Sequence, residues 1–497
     1  MPRVPFTRPT LCAALAAAML AVAGQAGAGQ CFSGCRQPLQ AQRSMRIGGL
    51  ADGFVGSLEL SLNDGFDTLV LAQPGAFTFQ RGIPDGGAYE VKLTRHPTGR
   101  HCTVEAGQGV ALAPIVDLRV RCRAGDIAAL PAADGPARNA GPFGPLLRDA
   151  QGRIYACTEH GGEHYRGAVV RIDPDGSRVL LHSFALPDEM DPAWRLALSA
   201  DGQWLYGVSH RGGVDDQGTL FRLRVDGTDY QVLHSFDGEP AATFPSSGLL
   251  LASDGRYYGL TANEGGTLYR YDPQAGFQVM HRFAAEDPGS EDADTDVEQD
   301  LPLAAPGLLF PIGDLVEGDD GALYGAAAFG GAGNHGGVFR YDLHNRRLRT
   351  LVELPEGSGQ PYFGLTRGRN GNLYTISSSP QGSQATLFRV TPQGQLSRYT
   401  VDPVLTGVAR PRGVLVEGSD GRFYGVSEDG GAHGYGTVFA IDFDTTRLSL
   451  LYSFGDAGQD DAGRHPRNGL LAAPNGDLYG TTGTAGPAGR GAVFRID

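Results

Sequence analysis

From residue 144 onward, apolar residues come in short runs of period two, separated by turn residues, and one unit recurs along the chain. Each unit opens with a short apolar run and a two-residue turn. It continues through an apolar-Tyr pair and a glycine-rich loop, and then through two further strands. The first of these reads Gly218-Thr219-Leu220-Phe221-Arg222 or Gly436-Thr437-Val438-Phe439. The second reads Leu181-His182-Ser183-Phe184, Leu233-His234-Ser235-Phe236 or Leu451-Tyr452-Ser453-Phe454. The tyrosines are Tyr155, Tyr206, Tyr258, Tyr324, Tyr374, Tyr424 and Tyr479. They recur about every fifty residues, and an insertion explains the longer step between Tyr258 and Tyr324.

The turns before the tyrosines read Gln151-Gly152, Asp201-Gly202, Asp254-Gly255, Asp320-Gly321, Asn370-Gly371, Asp420-Gly421 and Asn475-Gly476. Asp-Gly and Asn-Gly favour turns whose twist matches that of paired strands, so each predicts a tight hairpin. Four antiparallel strands per unit, repeated seven times, predict an all-β fold: a seven-bladed β-propeller over residues 124–497. Ring closure protects the edges that an open stack would expose. The seventh unit stops at Phe494-Arg495-Ile496-Asp497 without a fourth strand. Residues Asp126 to Leu130 are expected to supply it and lock the ring.

These motifs carry a resemblance. The ordered turn, Leu-Tyr-Gly, Gly-Gly and Gly-Thr-Val-Phe elements of residues 144–497 resemble the GloVer tandem repeat of choice-of-anchor bacterial surface and secreted proteins. The resemblance implies fold and location and no chemistry. The chain departs from that pattern in having no recognisable anchor.

Residues 46–123 alternate in the same way, as in Leu58-Glu59-Leu60-Ser61-Leu62 and Tyr89-Glu90-Val91-Lys92-Leu93, with turns at Asn63-Asp64-Gly65 and Pro84-Asp85-Gly86-Gly87. A pairing of Cys102 with Cys122 would tie the last two strands together, worth about 3 kcal/mol by chain entropy. The segments Pro97-Thr98-Gly99-Arg100-His101-Cys102-Thr103-Val104 and Val120-Arg121-Cys122 resemble a small immunoglobulin-like module found in front of bacterial surface repeat proteins. A small β-sandwich is therefore expected ahead of the propeller.

The first 28 residues read as a signal peptide, with Arg3 and Arg8 ahead of the apolar run Leu11 to Val22 and small residues at Ala26-Gly27-Ala28. Residues 29–45 read as a linker. The chain is thus expected to be exported, periplasmic or extracellular, with no transmembrane segment and no lipid anchor at Cys31, which follows Gln30. In an oxidising space, Cys31 and Cys35 can form a local disulfide. As metal ligands they lack a second pair, so no metal site is expected. Cys157 replaces an apolar residue of other units and reads as a buried, inert thiol.

Composition narrows the function. Glycine numbers 75, proline 31, charged residues are 19% and hydrophobic residues 41%, which suits many short strands around filled cores. The formal charge of −14 sets the chain against phosphate backbones, so nucleic acid is not an expected partner. No nucleophile elbow, P-loop, HExxH or haem-attachment motif is present, and no cofactor is expected.

In a four-stranded blade the second-to-third loops and the links between blades share one rim, and the long, variable segments fall there. That rim gathers weak catalytic candidates, His160, His164, His210, Arg211 and His433, and binding candidates, Asp215, Asp216, Glu264, His335, Glu428 and Asp429. His182, His234 and His281 recur at one strand position and read as structural, bonding a neighbouring strand. The recurring tyrosines likewise read as packing residues. The acidic insertion, 284–311, carries Glu291, Asp292, Asp294, Asp296, Glu298 and Asp300 and reads as a solvated loop rather than an EF-hand. The first reading is a non-catalytic binding or scaffold protein for a glycan or protein partner at the cell surface or periplasm. The alternative is a polysaccharide lyase or glycoside hydrolase in the funnel. A purely structural envelope role is a third.

Overall fold

The computed structural model describes residues 44–496, apart from 55–56, 96–99, 125–126, 130–143, 159–160, 186–194, 238–242, 284–306, 379–384, 456–461 and 485–490. The expected signal peptide, Cys31, Cys35, His160 and most of the acidic insertion lie outside these residues. What is described is all-β, with one four-residue α-helix, Pro403–Thr406, and one 3-10 turn, Asn263–Gly265. No helix among the described residues is long and apolar enough to cross a membrane.

Seven four-stranded antiparallel sheets follow one another in chain order. The first runs Leu147–Arg148, Ile154–Thr158, Ala168–Ile172 and Arg178–Ser183. The sixth runs Val408–Glu417, Phe423–Gly430, Thr437–Asp442 and Arg447–Ser453. The seventh takes Arg464–Ala472, Leu478–Thr484 and Val493–Ile496 from the end of the chain, and its outer strand, Ile127–Ala129, from ahead of the first sheet. Ile127 pairs with Ile496 and Ala129 with Phe494.

The cores lie between sheets. One cluster joins Tyr155, Val169 and Phe184 of the first sheet to Leu205 and Phe221 of the second. Others join the second to the third, the third to the fourth, and onward to the seventh. Val493 and Tyr479 of the seventh sheet then pack with Ile154 and Val170 of the first. A sheet buried on both faces needs apolar residues on both, which is why the second and third strands read as near-continuous buried runs.

Each letter of the repeat has a physical task. The fourth-strand phenylalanine meets the third-strand ring of the next sheet edge to face: Phe184 with Phe221, Phe236 with Tyr269, Phe283 with Phe339 and Phe454 with Phe494. The serine before it accepts a loop N–H, as Ser183 does from Glu163 and Ser235 from Val214. The third-strand threonine shares a buried hydroxyl bond with the second strand, as in Ser209–Thr219 and Thr261–Thr267, both 2.8 Å. The glycine before that threonine has a positive φ, +101° at Gly436, and a Cβ there would meet Pro466 Cδ of the next sheet at 2.5 Å.

The recurring tyrosines pack as expected, and they also close the hairpins. The hydroxyls of Tyr258, Tyr324 and Tyr424 donate to Asp254, Asp320 and Asp420 of their own turns at 2.8, 2.9 and 2.6 Å. Tyr155 reaches Asp149, two residues ahead of the Gln151-Gly152 turn. The repeated histidines meet aromatic rings. His182 stacks on Tyr230 and His234 on Phe277, each ring belonging to the next sheet, with centroids 3.8 and 3.9 Å apart.

Residues 44–124 form two further four-stranded sheets around one core that includes Ile47, Leu60, Phe77, Val91, Leu118 and Val120. Cys102 and Cys122 face each other in adjacent strands and form a disulfide. Cys157 is a free, buried thiol, and burial pushes its pKa up to about 12.

Candidate functional site

A residue before proline recurs within or ahead of the leading strands of several sheets: Phe310-Pro311, Arg410-Pro411 and His465-Pro466 within the strands, and Phe244-Pro245 ahead of Leu250–Leu251. In all four pairs the residue before proline has a left-handed backbone, with φ of 55°, 56°, 52° and 55°. That conformation is costly for a residue with a side chain. It is held by packing and backbone bonds. Phe244 N–H donates to Gln217 O at 3.0 Å and His465 N–H to Tyr435 O at 2.8 Å. Links between sheets and second-to-third loops therefore meet on one rim.

Between the sixth and seventh sheets this rim assembles a charged cluster. Glu428 and Asp429 stand near the end of the second strand of sheet six. Arg410 and Arg412 stand near the start of its leading strand, and His465 and Arg467 on that of sheet seven. Three guanidinium groups converge on Glu428: Arg410 at 3.0 Å, Arg412 at 2.9 Å and Arg467 at 2.9 Å. Arg410 also donates to Asp429 at 3.0 Å, and His465 Nδ1 lies 3.3 Å from Asp429 and 2.9 Å from the Glu428 carbonyl. Burial alone would raise the Glu428 pKa, but the charges of Arg412, Arg467 and Arg410 hold it below the usual carboxylate range. An ionised carboxylate so held is a poor proton acceptor.

Aromatic rings flank the cluster. Arg412 lies over Phe363 at 5.8 Å, and Arg464 over Tyr435 at 4.1 Å, with His465 edge-on to Tyr435. Further round the rim, the exposed Phe310 packs edge to face on Phe329, which meets Tyr362.

Of the residues singled out from sequence, Glu428 and Asp429 are brought together here. The other described candidates are not drawn into the cluster. His164 is exposed in sheet one, Arg211 and Asp215 in sheet two, Glu264 in sheet three and His433 in sheet six, and His335 is half-buried in sheet four. His210 Nδ1 lies 3.4 Å from the Pro245 carbonyl and its ring packs beside Phe244. Asp216 accepts the Gly212 N–H at 2.9 Å and so shapes its own loop. Arg410, Arg412, His465 and Arg467 were not among those candidates. Aligning the x-Pro positions of the units would have found them, since two consecutive units carry charge where earlier ones carry Phe244 and Phe310.

No curated protein is similar in sequence. Among solved structures, the extracellular domain of a B. thetaiotaomicron protein described as a hybrid two-component system matches 72% of this chain at 12% identity and a TM-score of 0.46. The match takes in 40% of that chain. The periplasmic gluconolactonase of Pseudomonas aeruginosa matches 72% of this chain and 94% of its own at 20% identity and a TM-score of 0.42. PorZ, a surface component of the type-IX secretion system of Porphyromonas gingivalis, matches 90% of this chain and 62% of its own at 16% identity and a TM-score of 0.45. The Gloeobacter/Verrucomicrobia repeat model matches residues 118–303 and 375–497, more than half of the sequence. With its recurring strands and cores running on from sheet to sheet, the chain belongs to the Gloeobacter/Verrucomicrobia repeat family.

Proposed function

We propose that this is an exported seven-bladed β-propeller behind an immunoglobulin-like β-sandwich, and that its loop-rich rim binds a glycan or protein partner without chemically changing it. The seven sheets, the cores shared from each to the next and the Ile127–Ile496 pairing support the ring. The signal-like start and the Cys102–Cys122 disulfide support export. One observation carries binding over catalysis. The acids drawn into the rim cluster are already ion-paired, and Glu428 is held in its weakly basic form. The exposed His164 and His433 sit in sheets one and six.

The test is a polysaccharide panel on the purified mature protein, read for binding and for new reducing or unsaturated ends. Binding without product is the expected result. Product formation overturns the reading and restores the lyase or hydrolase alternative. A panel with no binding removes glycans and leaves a protein partner.

A further inference from the structure

We infer that the mouth formed by Arg410, Arg412, Arg467 and Tyr435 is a subsite for an oxyanionic group on a sugar, the carboxylate of a uronic acid or a sulfate ester. The inference rests on rim binding and names the chemistry of the ligand. Three guanidinium groups face two carboxylates, so the cluster keeps an excess of positive charge on a protein of formal charge −14. Such a spot draws a short anionic segment, while the acidic remainder of the surface repels an extended polyanion.

Arg410 and Arg412 are not used up by their partners. Arg412 donates to Glu428 through Nε alone, and its side chain is 37% exposed; that of Arg410 is 41% exposed. A planar guanidinium offers five donors in a fork that matches a carboxylate or sulfate edge. Glu428 lies beneath with its side chain 8% exposed and fixes three forks from two sheets at one place. The pre-proline strain at Arg410 and His465 falls at this mouth. Phe363 and Tyr435, each half-buried with a guanidinium over one face, place apolar carbon at the edge of the cluster, which suits the C–H surface of a sugar and which a bare phosphopeptide does not need. The cluster thus combines an anion fork with an apolar edge.

Binding of short oligogalacturonides, a sulfated oligosaccharide and neutral dextran to the mature chain is measured by titration calorimetry across a salt series. Binding of an acidic oligosaccharide, weakened by salt, with neutral dextran unbound, is the expected result. R412Q and R467Q each weaken it about tenfold, while R349Q, on an exposed outer strand, changes nothing. Thermal melts check that each variant is folded. Should R467Q fail to fold, R412K carries the test, because it keeps the charge beside Glu428 and loses the planar fork. The carboxylated and sulfated arms tell the two oxyanions apart, and binding of either with arginine dependence supports the subsite. Equal binding of dextran, or acidic binding that R412Q leaves within twofold, overturns the subsite and leaves rim binding standing. No binding to any arm, charged or neutral, removes glycan recognition altogether.

Discussion

Arg467 and Glu428 belong to neighbouring sheets, and Arg467 Nη2 donates to Glu428 Oε1 at 2.9 Å across the seam between them. The same carboxylate receives Arg412 and Arg410 from its own sheet. One buried charge therefore holds two sheets in register on the rim. Removing one member of a buried ionic group costs more than the group contributes when intact, because the remaining charges lose their partner. Glu428→Leu is expected to destabilise by about 2 kcal/mol, less than the usual break of a fully buried pair because the half-exposed arginines can rehydrate. Denaturant unfolding of the variant against wild type measures it.

Tyr424 is fully buried and donates to Asp420 at 2.6 Å. Tyr424→Phe leaves a carboxylate short of one donor and is expected to cost about 1 to 2 kcal/mol. Tyr479 occupies the same repeat position but is only half-buried. Tyr479→Phe is expected to shift the melting midpoint far less, and side-by-side thermal melts decide the point.

His281 is buried, with neither ring nitrogen bonded, and burial lowers its pKa to about 4. The folded state holds it neutral while the unfolded chain titrates near 6.5. Its contribution is therefore fully present above about pH 6.5 and falls as pH drops toward 4, with a slope of up to about 1.4 kcal/mol per pH unit. His281→Leu is expected to flatten stability across that window. Unfolding free energies at pH 7, 6 and 5 give the slope for both proteins.

Asp320 responds in the same direction at lower pH. Burial opposes its ionised form, but bonds from Arg340, Tyr324 and the Ala322 N–H bring its pKa below the usual carboxylate value. The stability it supplies is present above the unfolded pKa and is lost as pH falls through the folded one. Wild type is expected to lose cooperativity on acidification below about pH 4, and Asp320→Asn to lose less over the same interval, as followed by circular dichroism.

Reduction of Cys102–Cys122 is expected to cost the front module about 3 kcal/mol, while Cys157, buried in the first sheet, resists alkylation until that sheet unfolds. Peptide mapping after timed alkylation, with and without reductant, separates the two.

The repeat was legible because its chemistry is local. Asp254-Gly255 and Asp420-Gly421 announce hairpins, and Gly436-Thr437-Val438-Phe439 is a strand whatever it packs against. The outer strand of the seventh sheet was legible too: the pairing at Ile127 to Ala129 lies within the segment expected to supply it. The rim cluster was not. Glu428 and Asp429 stood out as loop acids, but Arg410 and Arg467 lie far apart in sequence and meet only because the leading strands of sheets six and seven run side by side. His182 and His234 were read as structural, and the rings they stack on, Tyr230 and Phe277, come from the next repeat. Contacts between units carry no mark within a single unit.

The pairing of Ile127 with Ile496 orders events in time as well as in space. The outer strand of the seventh sheet is synthesised before the first sheet, and the other three strands of its sheet after the sixth. About 370 residues of chain must emerge before that strand finds its mate, and the entropic cost of closing so long a loop grows only slowly with its length. Until then Ile127–Ala129 is an unpaired edge, and the first sheet lacks Val493 and Tyr479 at its flank. A chain halted before Val493–Ile496 can build several sheets and still leave that edge open, so this one pairing decides whether the edge is covered from within or left to join a neighbour.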